Sequence, residues 1–188
     1  MEAHIALVTQ SGRLDLPDLM RIAAAAQKQV QRDLAGLWQV SASVDAFATL
    51  SDVPTDYWRV VIRDDIGLSN AVGAHWTHDG QPFALVRTAS DINRVCQAVS
   101  HEVLEMLIDP NGSRLVAGAS PLDPLDRVNF ILEICDPTQA SVYAVNGLAV
   151  CDFVTPAYFG PVTADGARYS YNGRPWSSRA ARERTQDW

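Results

Sequence analysis

Residues 90–110 read SDINRVCQAVSHEVLEMLIDP. Spacing predicts a helix from about Ser90 to Asp109, which Pro110 must end because it lacks the N–H and clashes with the preceding turn. At 100° per residue, Ile92, Val95, Cys96, Val99, Val103, Met106 and Leu107 share one arc. Arg94, Gln97, His101, Glu105 and Asp109 occupy the other side, with Glu102 at its margin. Such a two-sided helix packs its apolar stripe on a core and presents the rest elsewhere. The polar side is unusual for this chain. Of 22 acidic residues 17 are Asp and five are Glu, and two of those five stand within four positions of each other, beside a His.

His101-Glu102-Val103-Leu104-Glu105 is an HExxE sequence. Positions four apart share a helical face, so His101 and Glu105 can grip one metal ion together. Glu102 lies about 100° round from His101, where a carboxylate reaches a metal-activated water without ligating the metal. This is the spacing of HExxH zinc hydrolases with a carboxylate replacing the second imidazole. Zinc takes nitrogen and carboxylate oxygen, usually from three protein groups plus a water. A carboxylate-rich set is harder, so another divalent transition metal is also compatible. Taken alone, a helix face with His and Glu has a plainer reading, a solvated surface.

Outward from this helix the chain reads strand, long helix, strand, strand, strand. His4–Thr9 is a short apolar strand. Asp15-Leu16-Pro17-Asp18 starts a helix that runs to about Gly36, with Pro in its first turn and acids suited to its dipole. Val40–Leu50 alternates like a strand, and Tyr57–Arg63 and Pro82–Arg87 are further strands. Residues 64–78 are expected to be irregular, with a turn at Asp79-Gly80. Beyond Pro110, residues 111–126 read as turns, and residues 127–136 as strand or short helix. SVYAVNGLAVCDFV predicts a hairpin on a type I′ turn at Asn146-Gly147. The Arg-rich end from Arg168 reads as a packed loop followed by a frayed or helical tail.

Composition narrows the function classes. The chain has 188 residues, 47% hydrophobic and 20% charged, with net charge −7. It is long enough to bury a core without staples. Its acidity argues against a nucleic-acid surface, and no apolar run reaches the roughly 18 residues of a membrane span. The start lacks the basic and apolar regions of a Sec signal, which leads us to expect a cytoplasmic protein or one exported by a route without a cleaved signal. Cys96, Cys135 and Cys151 form no CxxC. Cys96 reads as a buried hydrophobe, and Cys135 with Cys151 as a pair that an oxidising compartment would bridge.

The element order before the helix, with GAHWTHDGQPFALVRTAS, SHEVLEMLIDP and the later Glu133-Ile134-Cys135-Asp136, resembles the zincin-like metallopeptidases. The likeness is to a small bacterial and phage-type group with an SHExxE…DP…ExxD pattern. It covers most of the first 136 residues in pattern, with the element order matching over residues 4–109, and about twenty residues in specific motifs. The resemblance implies an α+β fold: a twisted mixed sheet, a long N-terminal helix, an active-site helix and a smaller C-terminal part with a β-hairpin. It implies one domain over 1–188, with residues 111–188 closing the cleft. It further implies zinc on His101 and Glu105, Glu102 as general base, and a peptide or protein substrate, with no nucleic acid and no membrane as partner.

The third ligand is expected from Glu133, with Asp136 as second choice. Asp109 is disfavoured because each helical step of four residues advances about 6 Å, and one ion held by His101 and Glu105 does not easily reach a group two such steps from His101. For His75, His78 and the tyrosines, structural or cleft-lining roles are expected. The rival readings are a non-catalytic zincin-like binding or assembly module with a structural or vestigial metal site, and a hydrolase or lyase for a small amide. An open coordination position would favour the enzyme.

Overall fold

A computed structural model describes residues 2–120, 127–160 and 167–173. Its framework is a five-stranded sheet in the order β2-β1-β3-β5-β4, formed by β1 (Ala3–Thr9), β2 (Ala42–Phe47), β3 (Trp58–Arg63), β4 (Gly73–His78) and β5 (Gln81–Arg87). The β1–β2, β1–β3 and β3–β5 pairs are parallel, and β4 lies antiparallel to β5 at the edge. The class is therefore α+β with a mixed sheet.

The N-terminal helical stretch is continuous over 23 residues in three pieces: α1 (Leu16–Gln29), a π-helical segment (Val30–Leu34) and α2 (Ala35–Trp38). Asp15 caps it by accepting from the Asp18 N–H at 2.8 Å, which satisfies one of the free donors of the first turn. The second long helix, α3 (Ile92–Ile108), is capped by Asp91, whose carboxylate accepts from the Asn93 N–H at 2.9 Å. Both helices pack on one face of the sheet. Period-2 alternation explains which residues meet them: Ile5, Leu7, Val60, Ile62, Ala84 and Val86 join the helix-side core, while Ala6, Val8, Val61 and Leu85 serve small clusters on the opposite face.

Two segments differ from the sequence reading. Residues 73–78, expected to be irregular, form edge strand β4. The Asp79-Gly80 turn has positive φ at both positions (50° and 78°), so it folds this segment back on β5 as a hairpin. Within the turn-rich stretch lies strand β6 (Leu115–Ala119), paired antiparallel with β7 (Arg127–Ile131). That partner also resolves the ambiguity over residues 127–131 in favour of a strand. The Asn146-Gly147 hairpin forms as read, from β8 (Val142–Val145) and β9 (Leu148–Cys151), with φ of 51° and 80° at the turn. The tail beyond residue 173 lies outside the described residues. Among the described residues, no helix is long and apolar enough to cross a membrane.

Candidate metal centre

The polar side of α3 is not a solvated surface. Glu102, Glu105 and Asp109 are all buried, because two elements cover them. On one flank stands β4, whose alternate residues Gly73, His75 and Thr77 point at α3. On the other, residues 132–136 pass over the helix between β7 and the hairpin. Burying carboxylates is costly unless each finds a compensating partner, and here each does.

Glu105 is the most constrained. Its Oε1 accepts from the Cys135 N–H at 3.0 Å and the Asp136 N–H at 3.2 Å. Its Oε2 faces His101 Nε2 at 3.0 Å. The same nitrogen lies 3.3 Å from Asp136 Oδ1. His101 Nε2, Glu105 Oε2 and Asp136 Oδ1 thus converge, all within 4.8 Å of one another. An ion bound at about 2.1 Å by tetrahedral ligands sets them about 3.4 Å apart, so the two printed separations fit a divalent cation. Two nearby backbone N–H groups hold one Glu105 oxygen and leave the other for the ion, the kind of outer support that orients metal ligands.

Glu102 stands beside this set. Its Oε2 is 3.4 Å from His75 Nδ1, and the carboxyl lies directly under Gly73. A Cβ on residue 73 would come within 2.9 Å of both Glu102 Cγ and Cδ and would collide with Oε1. Only glycine lets the edge strand approach this closely. His75 Nε2 donates to the Asp109 carbonyl at 3.2 Å, so both ring nitrogens face acceptors. A second triad, His75, Glu102 and Glu105, also has ligand atoms within 4.8 Å.

The electrostatics follow from crowding. Burial pulls the His75 imidazole down, yet Glu102, Glu133 and Glu105 outweigh it and raise it to about 9. His101 is likewise opposed by burial but held well above its ordinary value by Glu105, Asp136 and Cys151. Burial raises Glu102, with His75 opposing. Glu105 is lowered, because His101, His75 and the Cys135 N–H overcome its burial. Burial and the charge of Glu105 push Glu133 up to about 8. The carboxylates whose charge raises these imidazoles would also favour a divalent cation in their place.

The predicted residues separate into two groups. His101, Glu105 and Asp136 come together. Glu133 instead turns toward His75, with Oε2 3.9 Å from His75 Nε2 and no hydrogen-bond partner for that buried oxygen among the described residues. The geometry therefore places Asp136, rather than Glu133, in one cluster with His101 and Glu105. Asp109 caps the turn after α3, accepting from the Arg114 N–H at 2.6 Å. His78 is exposed, with Asp79 Oδ2 3.6 Å from its Nε2. His75 is a member of the cluster, and the alternation of Gly73, His75 and Thr77 along a strand ending in Asp-Gly was the signal for it.

His101 and Glu102 open onto a cleft of about 570 Å³ between residues 70–73, α3 and the segment 136–139. Arg94, Gln97 and Gln139 line its far end, and Asp136 its wall. Behind His101, away from the cleft, Cys151 Sγ lies 3.7 Å from Nδ1. Searches against family models, curated proteins and solved structures find no match to the chain.

Proposed function

We propose that the chain is a metal-dependent hydrolase of zincin-like fold, acting on a peptide bond of a peptide or protein substrate. One observation carries the reading: His101 Nε2 lies 3.0 Å from Glu105 Oε2 and 3.3 Å from Asp136 Oδ1, at the wall of a cleft that Glu102 also lines. His101, Glu105 and Asp136 would hold the cation, with zinc the first choice for a mixed nitrogen and oxygen set. Bound there, the metal would lower the pKa of water and polarise a carbonyl.

The chain's own groups do the rest. Glu102 takes the proton from the attacking water and returns it to the leaving amine, the two-step duty of a general base. His75 fixes the Glu102 carboxyl through Nδ1 and is itself fixed by the Asp109 carbonyl. Gly73 holds the edge strand against that carboxyl. Arg94, Gln97 and Gln139 offer polar contacts to a substrate in the cleft. The cytoplasm is the setting we assign, where Cys135 and Cys151 remain thiols.

The test is metal analysis of protein purified without added metal, followed by two variants. His101→Ala should abolish stoichiometric metal. Glu102→Gln should keep the metal and lower peptide hydrolysis by at least about 100-fold. A native chain with no affinity for any divalent transition metal overturns the reading. Stoichiometric metal without hydrolysis of any member of a peptide library would identify a non-catalytic module.

A further inference from the structure

His101 has a second nitrogen, and it points away from the cleft. Its Nδ1 lies 3.7 Å from Cys151 Sγ, and Cys135 Sγ completes a group whose three ligand atoms all lie within 4.8 Å of one another. Both cysteines are fully buried free thiols. We propose that Cys135, Cys151 and His101 Nδ1 form a separate site for a thiophilic cation of the zinc, cadmium or copper(I) kind.

The spacing fits. A tetrahedral ion with metal–sulfur and metal–nitrogen bonds of about 2.3 and 2.05 Å sets S and N about 3.6 Å apart, against the 3.7 Å found. Ligand softness separates the two sides of one ring. Nε2 faces two carboxylates, which suit hard and borderline ions, whereas Nδ1 faces two sulfurs, which select soft ones.

The backbone holds both cysteines in place. The Cys151 N–H donates to Ser100 Oγ at 2.7 Å, and its carbonyl accepts from Gln29 Nε2 at 2.8 Å. The Cys135 N–H is bound by Glu105, and its carbonyl accepts from Thr138. Three elements, α1, α3 and the segment before the hairpin, thus fix a preformed set of ligands. Binding displaces the proton on His101 Nδ1 as well as the two thiol protons, and leaves two thiolates and a neutral imidazole on the ion. A neutral imidazole has one lone pair, so an ion on Nδ1 competes for His101 with an ion on Nε2.

The inference does not depend on hydrolysis or on the cleft metal. Reduced full-length protein is titrated anaerobically with cadmium chloride, and the ultraviolet thiolate-to-cadmium charge-transfer band is followed. One equivalent should develop the band. Cys135→Ser and Cys151→Ser should each weaken cadmium binding beyond the roughly 10–100-fold that loss of an outer-shell partner costs. Asp136→Asn, which removes a cleft carboxylate, should leave the band intact. Should a serine variant fail to fold, X-ray absorption at the cadmium edge of the wild type decides. A shell with two sulfurs supports the site, and one of oxygen and nitrogen alone overturns it. No band in the wild type, or an undiminished band in the double serine variant, also overturns it. A cleft that binds nothing leaves the outcome unchanged, since the band reads sulfur only.

Discussion

Glu105 has a role in the fold that can be separated from any role toward a metal. Its Oε1 accepts two backbone N–H groups, from Cys135 and Asp136, and the residue is 3% exposed. Glu105→Ala leaves the buried Cys135 N–H and the part-buried Asp136 N–H without this partner. Each such donor costs about 1–3 kcal/mol, so the loss is about 2–6 kcal/mol, a large part of the roughly 5–15 kcal/mol that holds a domain together. Glu105→Gln keeps a carbonyl oxygen for the same two donors and turns its amide toward His101, so it should cost less than about 2 kcal/mol. The assay is urea unfolding in EDTA, which removes metal linkage from the comparison. With a slope of about 2 kcal/mol per molar, a 4 kcal/mol loss moves the midpoint by about 2 M. The glutamine variant should shift far less while losing affinity for zinc. Equal destabilisation by Ala and Gln, or a loss below about 1 kcal/mol for Ala, would refute the assignment of those two bonds.

Three further outcomes are expected. Asp136→Asn should weaken zinc binding by at least about 100-fold and Glu133→Gln by less than about 10-fold, read by competition with a chromophoric chelator; the reverse order would restore Glu133 as third ligand. Gly73→Ala should force the Glu102 carboxyl aside, keeping the metal while lowering peptide hydrolysis by at least about 100-fold; unchanged turnover would mean that the edge strand yields instead. Asp33 is buried, and although burial alone would raise its carboxyl, bonds from Arg32, Tyr171 and Tyr143 hold it below its ordinary value. A depressed folded-state pKa stabilises above the unfolded value and stops doing so as pH falls through the folded one. The stability gap between wild type and Asp33→Asn should therefore be full near pH 6 and shrink below about pH 4, read by unfolding at each pH. A gap that persists unchanged at about pH 3 would remove Asp33 from the acid response.

Much of this was legible in the chain because local rules decided it. Helix α3 follows from its apolar arc and from Pro110, the capped start of α1 from Asp15 and Pro17, and the β8–β9 hairpin from Asn146-Gly147. The HExxE spacing alone put His101 and Glu105 on one face. The rest depended on what packs against that face, which periodicity cannot report. The helix's polar side reads as solvated until β4 and residues 132–136 are laid over it, and only then is burial of its carboxylates evident. Strand β6 was hidden because its partner β7 lies across a turn-rich stretch. The choice between Glu133 and Asp136 turns on the path of four residues. Their backbone is set by Glu105 itself, through the N–H groups of Cys135 and Asp136.

The π-helical segment at Val30–Leu34 bears on how this chain tolerates insertion and deletion. A π turn accommodates one residue more than an α turn, so the segment amounts to a single-residue insertion absorbed within a helix. Asp33, inside it, meets the hydroxyls of Tyr143 and Tyr171, and Trp38, beyond it, donates to the Val154 carbonyl. Deleting exposed Gln31 would let the segment close as a plain α-helix, with the residues beyond it keeping their faces relative to α1. Trp38, beyond the segment, would then keep the Val154 carbonyl. The frame of this helix is locked by residues more than a hundred positions away, so one deletion within Val30–Leu34 should be better tolerated than one within α1, which nothing absorbs and which would turn the downstream residues by about 100°.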